Sequence, residues 1–244
     1  MTELSTSEHL RRNYEDYYED GDSEWRRLGA LDKVANVISL CGRVPHEKVL
    51  EIGSGEGSIL RRFSEVSFGR ELYGLEISPS GVQVTLEKKI PRLVECRLFD
   101  GYHAPYGTGS FDIAVLSHVL EHVEHPRLLL YEATRVARYV FVEVPLEDTL
   151  RLPDDYQPDR VGHINFYSPR TIRRLLQTSG LMVLGQLTNN PSLATYRFQK
   201  GRKGVFDYYV KEALRRTAPR LATAVFVYHG ALLCAKQADV TRAQ

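Results

Sequence analysis

Three glycines alternate with other residues in one short segment of the chain, at Gly53, Gly55 and Gly57, and the acidic residue Glu51 precedes them. Glycines at this spacing let the backbone turn sharply and let a ligand approach the main chain. The segment follows an apolar strand pattern and opens a helical pattern, which is the context in which a glycine motif is informative. The sequence therefore predicts a ligand-binding turn at the carboxyl edge of a sheet, where such folds bind nucleotides.

Two features narrow the class of ligand. Ser58 stands where the dinucleotide fingerprint G-x-G-x-x-G needs its third glycine, and the turn has no lysine for phosphates as a P-loop would. Glu76 lies at the predicted end of the second strand. A carboxylate there can accept both ribose hydroxyl hydrogens, and it would repel a 2′-phosphate.

A histidine cluster offers acid–base chemistry. His118, Glu121 and His122 fit the zinc-protease pattern H-x-x-E-H, whose histidines share one helix face. The cluster follows a buried strand rather than lying on a long exposed helix, so we expect no metal. His163 and then His122 are the candidates for a catalytic base, because histidine titrates near neutrality. The alternatives stay open that His163 only anchors a loop and that His122 only caps a helix.

The elements that must position these residues alternate between strands and helices. Apolar runs predict five strands before residue 146, with a loop between the third and fourth and helices between the others, one of them from Val119 onward. Ser78-Pro79 and Ser168-Pro169 are helix starts. Continuous apolar strands alternating with helices indicate a sheet covered on both faces. The predicted strands are 48–52, 72–77, 93–99, 111–116, 139–144, 181–187 and 224–234.

The segments outside this alternation are predicted from composition. We expect one domain over residues 1–244, with an N-terminal helical arm or cap over 1–45. Residues 146–165 form a long polar loop, and residues 190–222 form a basic, aromatic insertion that is helical from 205 to 217. The two late strands that flank the insertion suit a hairpin at the sheet edge.

Composition restricts the function further. The 244 residues carry a net charge of +1, which disfavours a nucleic-acid substrate. The 3 cysteines form no C-x-x-C pair and predict neither a zinc knuckle nor a disulfide framework. No apolar run is long enough for a membrane span, and no secretory signal is present, so we expect a cytoplasmic protein.

Taken together, the motifs over about residues 45–190 resemble those of the class I S-adenosylmethionine-dependent methyltransferases. The glycine turn looks like their first motif, and Glu76 looks like the acid that holds the ribose. Segments 99–101, 110–112, 116–123 and 162–168 resemble later motifs in the same order. The resemblance implies a doubly wound, mostly parallel seven-stranded sheet with helices on both faces and an antiparallel last strand. It also implies S-adenosylmethionine as cofactor, bound by Glu51, Gly53, Ser54, Gly55, Gly57, Glu76, Ile77, Asp100, Gly101, Ser117 and His118.

The resemblance further implies methyl transfer by in-line displacement to an oxygen or nitrogen of a small molecule, or of a glycan or lipid precursor. Tyr14, Tyr18 and Trp25 would close over the cofactor and the acceptor, although ordinary packing of the arm explains them as well. The basic insertion keeps RNA or protein methylation open as an alternative. A domain that binds S-adenosylmethionine without catalysis, as a regulatory subunit, is a further alternative.

Overall fold

A computed structural model of the chain describes residues 6–7, 18, 23–155 and 162–237. Within these residues helices and strands alternate as far as the fifth strand, except that no helix separates the third strand from the fourth. The helices are α1 (Glu24–Cys41), α2 (Ser58–Glu65), α3 (Pro79–Glu87), α4 (Pro126–Val136), α5 (Pro169–Thr178), α6 (Leu193–Thr217) and α7 (Pro219–Val225). The strands are β1 (Lys48–Ile52), β2 (Glu71–Glu76), β3 (Leu93–Leu98), β4 (Phe111–Ser117), β5 (Ala137–Pro145), β6 (Leu181–Asn189) and β7 (His229–Lys236).

The strands of the described residues form one 7-stranded sheet in the order β3-β2-β1-β4-β5-β7-β6. The strands from β3 to β5 pair in parallel, whereas β7 is antiparallel to both β5 and β6. This confirms the predicted mostly parallel sheet with an antiparallel last strand. The strand order reverses between β1 and β4, and such a switch point opens a crevice at the carboxyl ends of the strands.

The central strands are buried on both faces. Leu50 and Ile52 of β1 point into the hydrophobic cluster that contains residues of α4 and α5, and Val49 points into the cluster that contains residues of α1 and α2. All three side chains are at most 1% exposed. This explains why Val49, Leu50 and Ile52 are all apolar, because a strand covered on both faces has no solvent side.

Helix starts hold the predicted signals. The Ser78 hydroxyl accepts a hydrogen bond from the N–H of Gly81 at 3.2 Å, and Pro79 occupies the first turn of α3. Ser168 forms a capping box with Thr171 at the start of α5. These caps satisfy backbone N–H groups that the first helical turn leaves unpaired.

Three sequence-based expectations are wrong. No helix starts at Val119, because His118 adopts a left-handed φ of 58° and the chain turns until α4 begins at Pro126. The last strand does not start at Ala224 but at His229, since Pro219 opens the short helix α7 through Val225. A proline fits the first helical position, and the apolar residues after it cover the core from a helix. The helix of the insertion, α6, also begins earlier than predicted, at Leu193 instead of residue 205.

None of the helices in the described part of the chain is both long and apolar enough to cross a membrane.

Candidate functional site

The glycine turn after β1 adopts backbone angles that favour glycine. Gly53, Gly55 and Gly57 have φ values of +77°, +54° and +81°. The Gly53 N–H donates to the carbonyl of Leu75 at 2.7 Å, which ties the turn to the end of β2. A Cβ atom on Gly53 would lie 2.6 Å from Cγ2 of Val119. The turn therefore passes close to the loop after β4 and leaves room only for hydrogen at this position.

The carboxylate of Glu76, predicted to hold a ribose, lies directly beside this turn. Its Oε2 accepts from the N–H of Gly55 at 2.7 Å, and its Oε1 accepts from the N–H groups of Ile77 at 2.8 Å and Ser78 at 2.9 Å. Burial raises the pKa of Glu76, and the three N–H donors act in the opposite direction. Because a carboxylate offers about four acceptor positions and three are occupied, one position remains, on Oε2, to receive a hydroxyl hydrogen.

A first cavity of about 160 Å³ opens beside Glu76. Its wall brings together several of the predicted cofactor residues with His122 and Tyr18. A Cβ atom on Gly101 would overlap the Thr6 hydroxyl, which donates to the carbonyl of Asp100 at 2.9 Å. The predicted residues in the wall are Gly53, Glu76, Ile77, Gly101, His118 and His122.

Asp100 itself is not part of that wall. Its Oδ1 accepts hydrogen bonds from the N–H groups of Tyr102 and His103, both at 2.7 Å. The carboxylate thus shapes the turn after β3, and its predicted contact with the cofactor stays a prediction. Gly57 also lines neither cavity, because it forms the start of α2.

A second, larger cavity of about 450 Å³ adjoins the first. Glu51, Ser54, Gly55 and Ser117 line it, and Trp25 lies at its rim, with 47% of its surface exposed. Burial raises the pKa of Glu51 well above its usual range, and its Oε2 has no hydrogen-bond partner among the described residues. Such an orphaned oxygen indicates that a polar ligand completes the site.

Tyr18, Gly53 and His118 line both cavities, so the two spaces share a wall. The Tyr18 ring also covers the glycine turn, since a Cβ atom on Gly55 would lie 3.0 Å from its hydroxyl oxygen. Tyr14, the other predicted tyrosine, lies outside the described residues. The structure therefore brings two of the three predicted aromatic residues to the cavities.

A charged cluster in the second cavity was not predicted from the sequence. Oε1 of Glu143 lies 3.6 Å from Nδ1 of His229, and its two oxygens accept from the Asn36 amide at 2.7 Å and the Ser117 hydroxyl at 3.0 Å. Complete burial alone would raise the pKa of Glu143, but His229, His118 and Lys33 bring it down to about 2. Glu143 is thus an ionised carboxylate that holds a histidine at the cavity wall.

His118 lies next to this cluster, with ring centroids of His118 and His229 4.6 Å apart. Burial lowers the pKa of His118 well below its usual range, and the charges of Lys33 and His229 act in the same direction. The ring is therefore neutral at physiological pH. Its Nε2 atom is buried and has no hydrogen-bond partner within the described part of the chain.

The two predicted catalytic histidines lie together on the other side of His118. The ring centroids of His122 and His163 are 4.8 Å apart, and His122 lines the first cavity. His163 lines neither cavity, and its Nδ1 lies 2.7 Å from Oε2 of Glu147. A catalytic role for either histidine stays a prediction.

Comparison with known protein families points to the part of the chain that contains most of these site residues. The model of a family described as a methyltransferase domain matches residues 24–186. This range includes α1, the glycine turn, Glu76 and both histidine clusters except His229. No protein among curated sequences matches the chain.

Solved structures with the same fold share little sequence with the chain. Geranyl diphosphate C-methyltransferase from Streptomyces coelicolor A3(2) is 12% identical with a TM-score of 0.65, covering 96% of this chain and 99% of that one. The cyclase SpnF is 16% identical with a TM-score of 0.63, covering 89% and 84%. A sarcosine dimethylglycine methyltransferase candidate from Galdieria sulphuraria is 15% identical with a TM-score of 0.58, covering 86% and 84%. At these identities the likeness establishes the fold.

Proposed function

Because the chain belongs to the methyltransferase domain family and is an S-adenosylmethionine-dependent methyltransferase, we propose that its acceptor is a small molecule bound in the second cavity. The observation that carries this proposal is the pair of adjoining cavities that share Tyr18, Gly53 and His118. Two cavities that share a wall suit a methyl donor and a methyl acceptor, which must come into contact. The acceptor atom would be an oxygen or a nitrogen.

The residues of the first cavity fit an adenosyl group. Glu76 offers the open acceptor position of Oε2 for a ribose hydroxyl, and the glycines leave a cradle that a Cβ atom on Gly53 or Gly101 would fill. Across the shared wall, the orphaned oxygen of Glu51 and the backbone of Ser54 are suited to the charged amino acid end of the cofactor. S-adenosylmethionine, when bound, supplies an electrophilic methyl group together with its own leaving group.

The task left to the chain is to orient the acceptor and to remove its proton. Orientation of two bound reactants supplies up to roughly 7–11 kcal/mol of barrier reduction. We assign proton removal to His229, because it lines the second cavity and Glu143 orients its ring. The neutral His118, with its orphaned Nε2, offers a hydrogen-bonding anchor at the same wall. His163 and His122, the candidates from the sequence, become the second choice for the base, since they lie toward the first cavity.

The second cavity also favours a small molecule over a polyanion. Its wall carries acidic groups at Asp32, Glu51 and Glu56 beside the basic groups of Arg26 and Lys33. Carboxylates on the wall repel phosphates, and binding of a nucleic acid needs a basic surface. The first turns of α6 close this cavity and thereby give the insertion a part in acceptor choice; they contribute Thr195 and Gln199.

The observation that favours RNA or protein as alternative acceptors is the outer surface of α6. This helix exposes basic residues beside the aromatic side chains of Phe198 and Phe206, which are 54% and 69% exposed. Bases stack on exposed aromatic rings, and basic residues bind phosphates. The exposed basic residues are Arg197, Lys200, Arg202 and Lys203.

Transfer of a labelled methyl group distinguishes these acceptors. The protein is incubated with labelled S-adenosylmethionine and with small-molecule, RNA and protein fractions of a cell extract, and the label is measured in each fraction. We expect label in the small-molecule fraction and none with Glu76→Gln, which loses the charge that binds the ribose. Label in RNA or protein, abolished when the basic residues of α6 are neutralised, would contradict the proposed acceptor class.

A further inference from the structure

Glu121, His122 and His163 form a compact cluster of side chains beside the first cavity. One potential ligand atom from each residue lies within 4.8 Å of the others. In a formed zinc site each ligand lies about 2.0–2.2 Å from the ion, so ligand atoms are at most about 4.4 Å apart. Small side-chain rotations therefore suffice, and we propose that these three residues bind a divalent transition-metal ion.

The hydrogen bonds of the two histidines select the tautomer that a metal needs. Nδ1 of His163 lies 2.7 Å from the Glu147 carboxylate, and Nδ1 of His122 lies 3.2 Å from the carbonyl of Gly162. A carbonyl and a carboxylate only accept hydrogen bonds, so each Nδ1 carries the proton and each Nε2 the lone pair. Metal-bound histidines have the same outer partners, a carboxylate or a backbone carbonyl on the second ring nitrogen.

Glu121 supplies the negative charge. It is 0% exposed, and neither carboxylate oxygen has a hydrogen-bond partner among the described residues. Nδ1 of His118 lies 3.2 Å from Oε1, but the two atoms are not aligned for a hydrogen bond. A buried carboxylate without partners is costly, and a cation between Glu121 and the two rings would remove that cost.

The backbone around the cluster is already fixed. The carbonyl of Glu121 accepts from the N–H groups of Ile164 at 2.8 Å and Asn165 at 3.0 Å. The Asn165 amide in turn donates to the carbonyls of Leu120 at 3.0 Å and Val123 at 2.7 Å. The segment with His163 is thereby locked onto the loop with Glu121 and His122, so the ligands need little reorganisation to meet an ion.

The donor set points to zinc or another transition metal rather than magnesium. Two imidazoles and one carboxylate are typical of catalytic zinc and of ferrous iron, whereas magnesium prefers oxygen ligands and water. His122 also lines the first cavity, so a fourth position on the ion would face that space. The sequence predicted no metal because the cluster follows a buried strand rather than lying on a long exposed helix, and that prediction left out His163, which approaches Glu121 and His122 in the structure.

A neighbouring group, Glu143 with His118 and His229, also satisfies the distance criterion for a metal site. Its carboxylate, however, already accepts hydrogen bonds from Asn36 and Ser117. An ion bound to Glu143 would have to displace these hydrogen bonds, and this costs free energy that binding at Glu121 does not. We therefore assign the ion to the cluster with Glu121.

Calorimetric titration of chelator-treated protein with zinc chloride, without any cofactor, tests this site. We expect one zinc ion per chain, no comparable binding of magnesium, and unchanged affinity in His46→Gln and His229→Gln. Glu147→Gln should weaken zinc binding roughly 10–100-fold, as loss of an outer-shell partner does, and Glu121→Gln should weaken it more. Unchanged zinc affinity in Glu121→Gln, or loss of binding in His229→Gln, would overturn the assignment.

A zinc-soaked crystal decides the matter if the Glu121 variant does not fold. An anomalous peak within about 2.0–2.2 Å of Glu121, His122 and His163 supports the site, and a peak elsewhere or no peak contradicts it. Titration of the same zinc-free protein with S-adenosylhomocysteine keeps this test separate from the proposed function. Failure to bind zinc leaves cofactor binding intact, and failure to bind the cofactor leaves the zinc result standing.

Discussion

Replacement of Gly53 by alanine tests how the glycine turn serves the site. The φ of +77° is left-handed, and an alanine there costs about 1–2 kcal/mol. The added Cβ would also lie 2.6 Å from Cγ2 of Val119, so one of the two must move, and such overpacking costs about 1–3 kcal/mol. We therefore expect Gly53→Ala to lower the free energy of unfolding by about 2–5 kcal/mol.

Gly109→Ala is the matched control. Gly109 has a similar φ of +69°, lies on the surface, and has open space where a Cβ would stand. The control should lose only the cost of the left-handed backbone, about 1–2 kcal/mol. Urea denaturation followed by circular dichroism measures both variants, and calorimetry measures their affinity for S-adenosylhomocysteine.

Because Gly53 lines both cavities, its variant should also bind the demethylated cofactor more weakly, whereas Gly109→Ala should bind it as the wild type does. A Gly53→Ala variant that is as stable as Gly109→Ala, and that binds S-adenosylhomocysteine with wild-type affinity, would refute this role of Gly53. Loss of stability without loss of affinity would remove the turn from the binding site and leave it a structural turn.

Further predictions concern the cavity walls. The pKa of Glu143, about 2 against an ordinary 4.5, means that its carboxylate stabilises the fold above pH 4.5 and loses this effect as the pH falls toward 2. Urea denaturation of Glu143→Gln should therefore differ from the wild type at neutral pH and converge with it in acid; a constant difference would disprove the assignment. For an oxygen acceptor, His229→Gln should lower kcat by about 10²–10⁴ with unchanged cofactor affinity, and an unaltered kcat would rule out a base there. Tyr18→Ala should weaken cofactor binding in calorimetry because Tyr18 lines both cavities, whereas Trp25→Ala should raise only the KM for the acceptor. Equal effects of these two variants on cofactor affinity would contradict the division into two cavities.

The sheet was predictable from the sequence where strands are buried on both faces. The runs at β1, β4 and β5 are mostly apolar, and such runs leave few alternatives to a covered parallel strand. The start of β7 was not predictable in this way, because the short apolar run at residues 224–227 fits a buried helix as well as a buried strand. The left-handed turn at His118 also had no sequence signal, since a non-glycine residue rarely adopts that conformation.

The site residues also fall into two groups, those marked by local sequence patterns and those that only the fold brings together. The glycine turn and Glu76 are local signals, and the structure brings them to one cavity. Glu143 and His229 meet only because β7 inserts antiparallel beside β5, where Pro145 pairs with His229. That pairing joins residues far apart in the chain, so no spacing revealed it. The sequence placed Glu143 near the end of one predicted strand but His229 in the middle of another, 224–234, so it gave no signal that they meet.

A crystal structure with S-adenosylhomocysteine tests the central claim most directly. We predict that a ribose hydroxyl donates to Oε2 of Glu76 in the first cavity and that the amino acid end lies against the glycine turn in the second. A nucleoside bound away from Glu76, or both cavities empty at a saturating concentration of the ligand, would contradict the account.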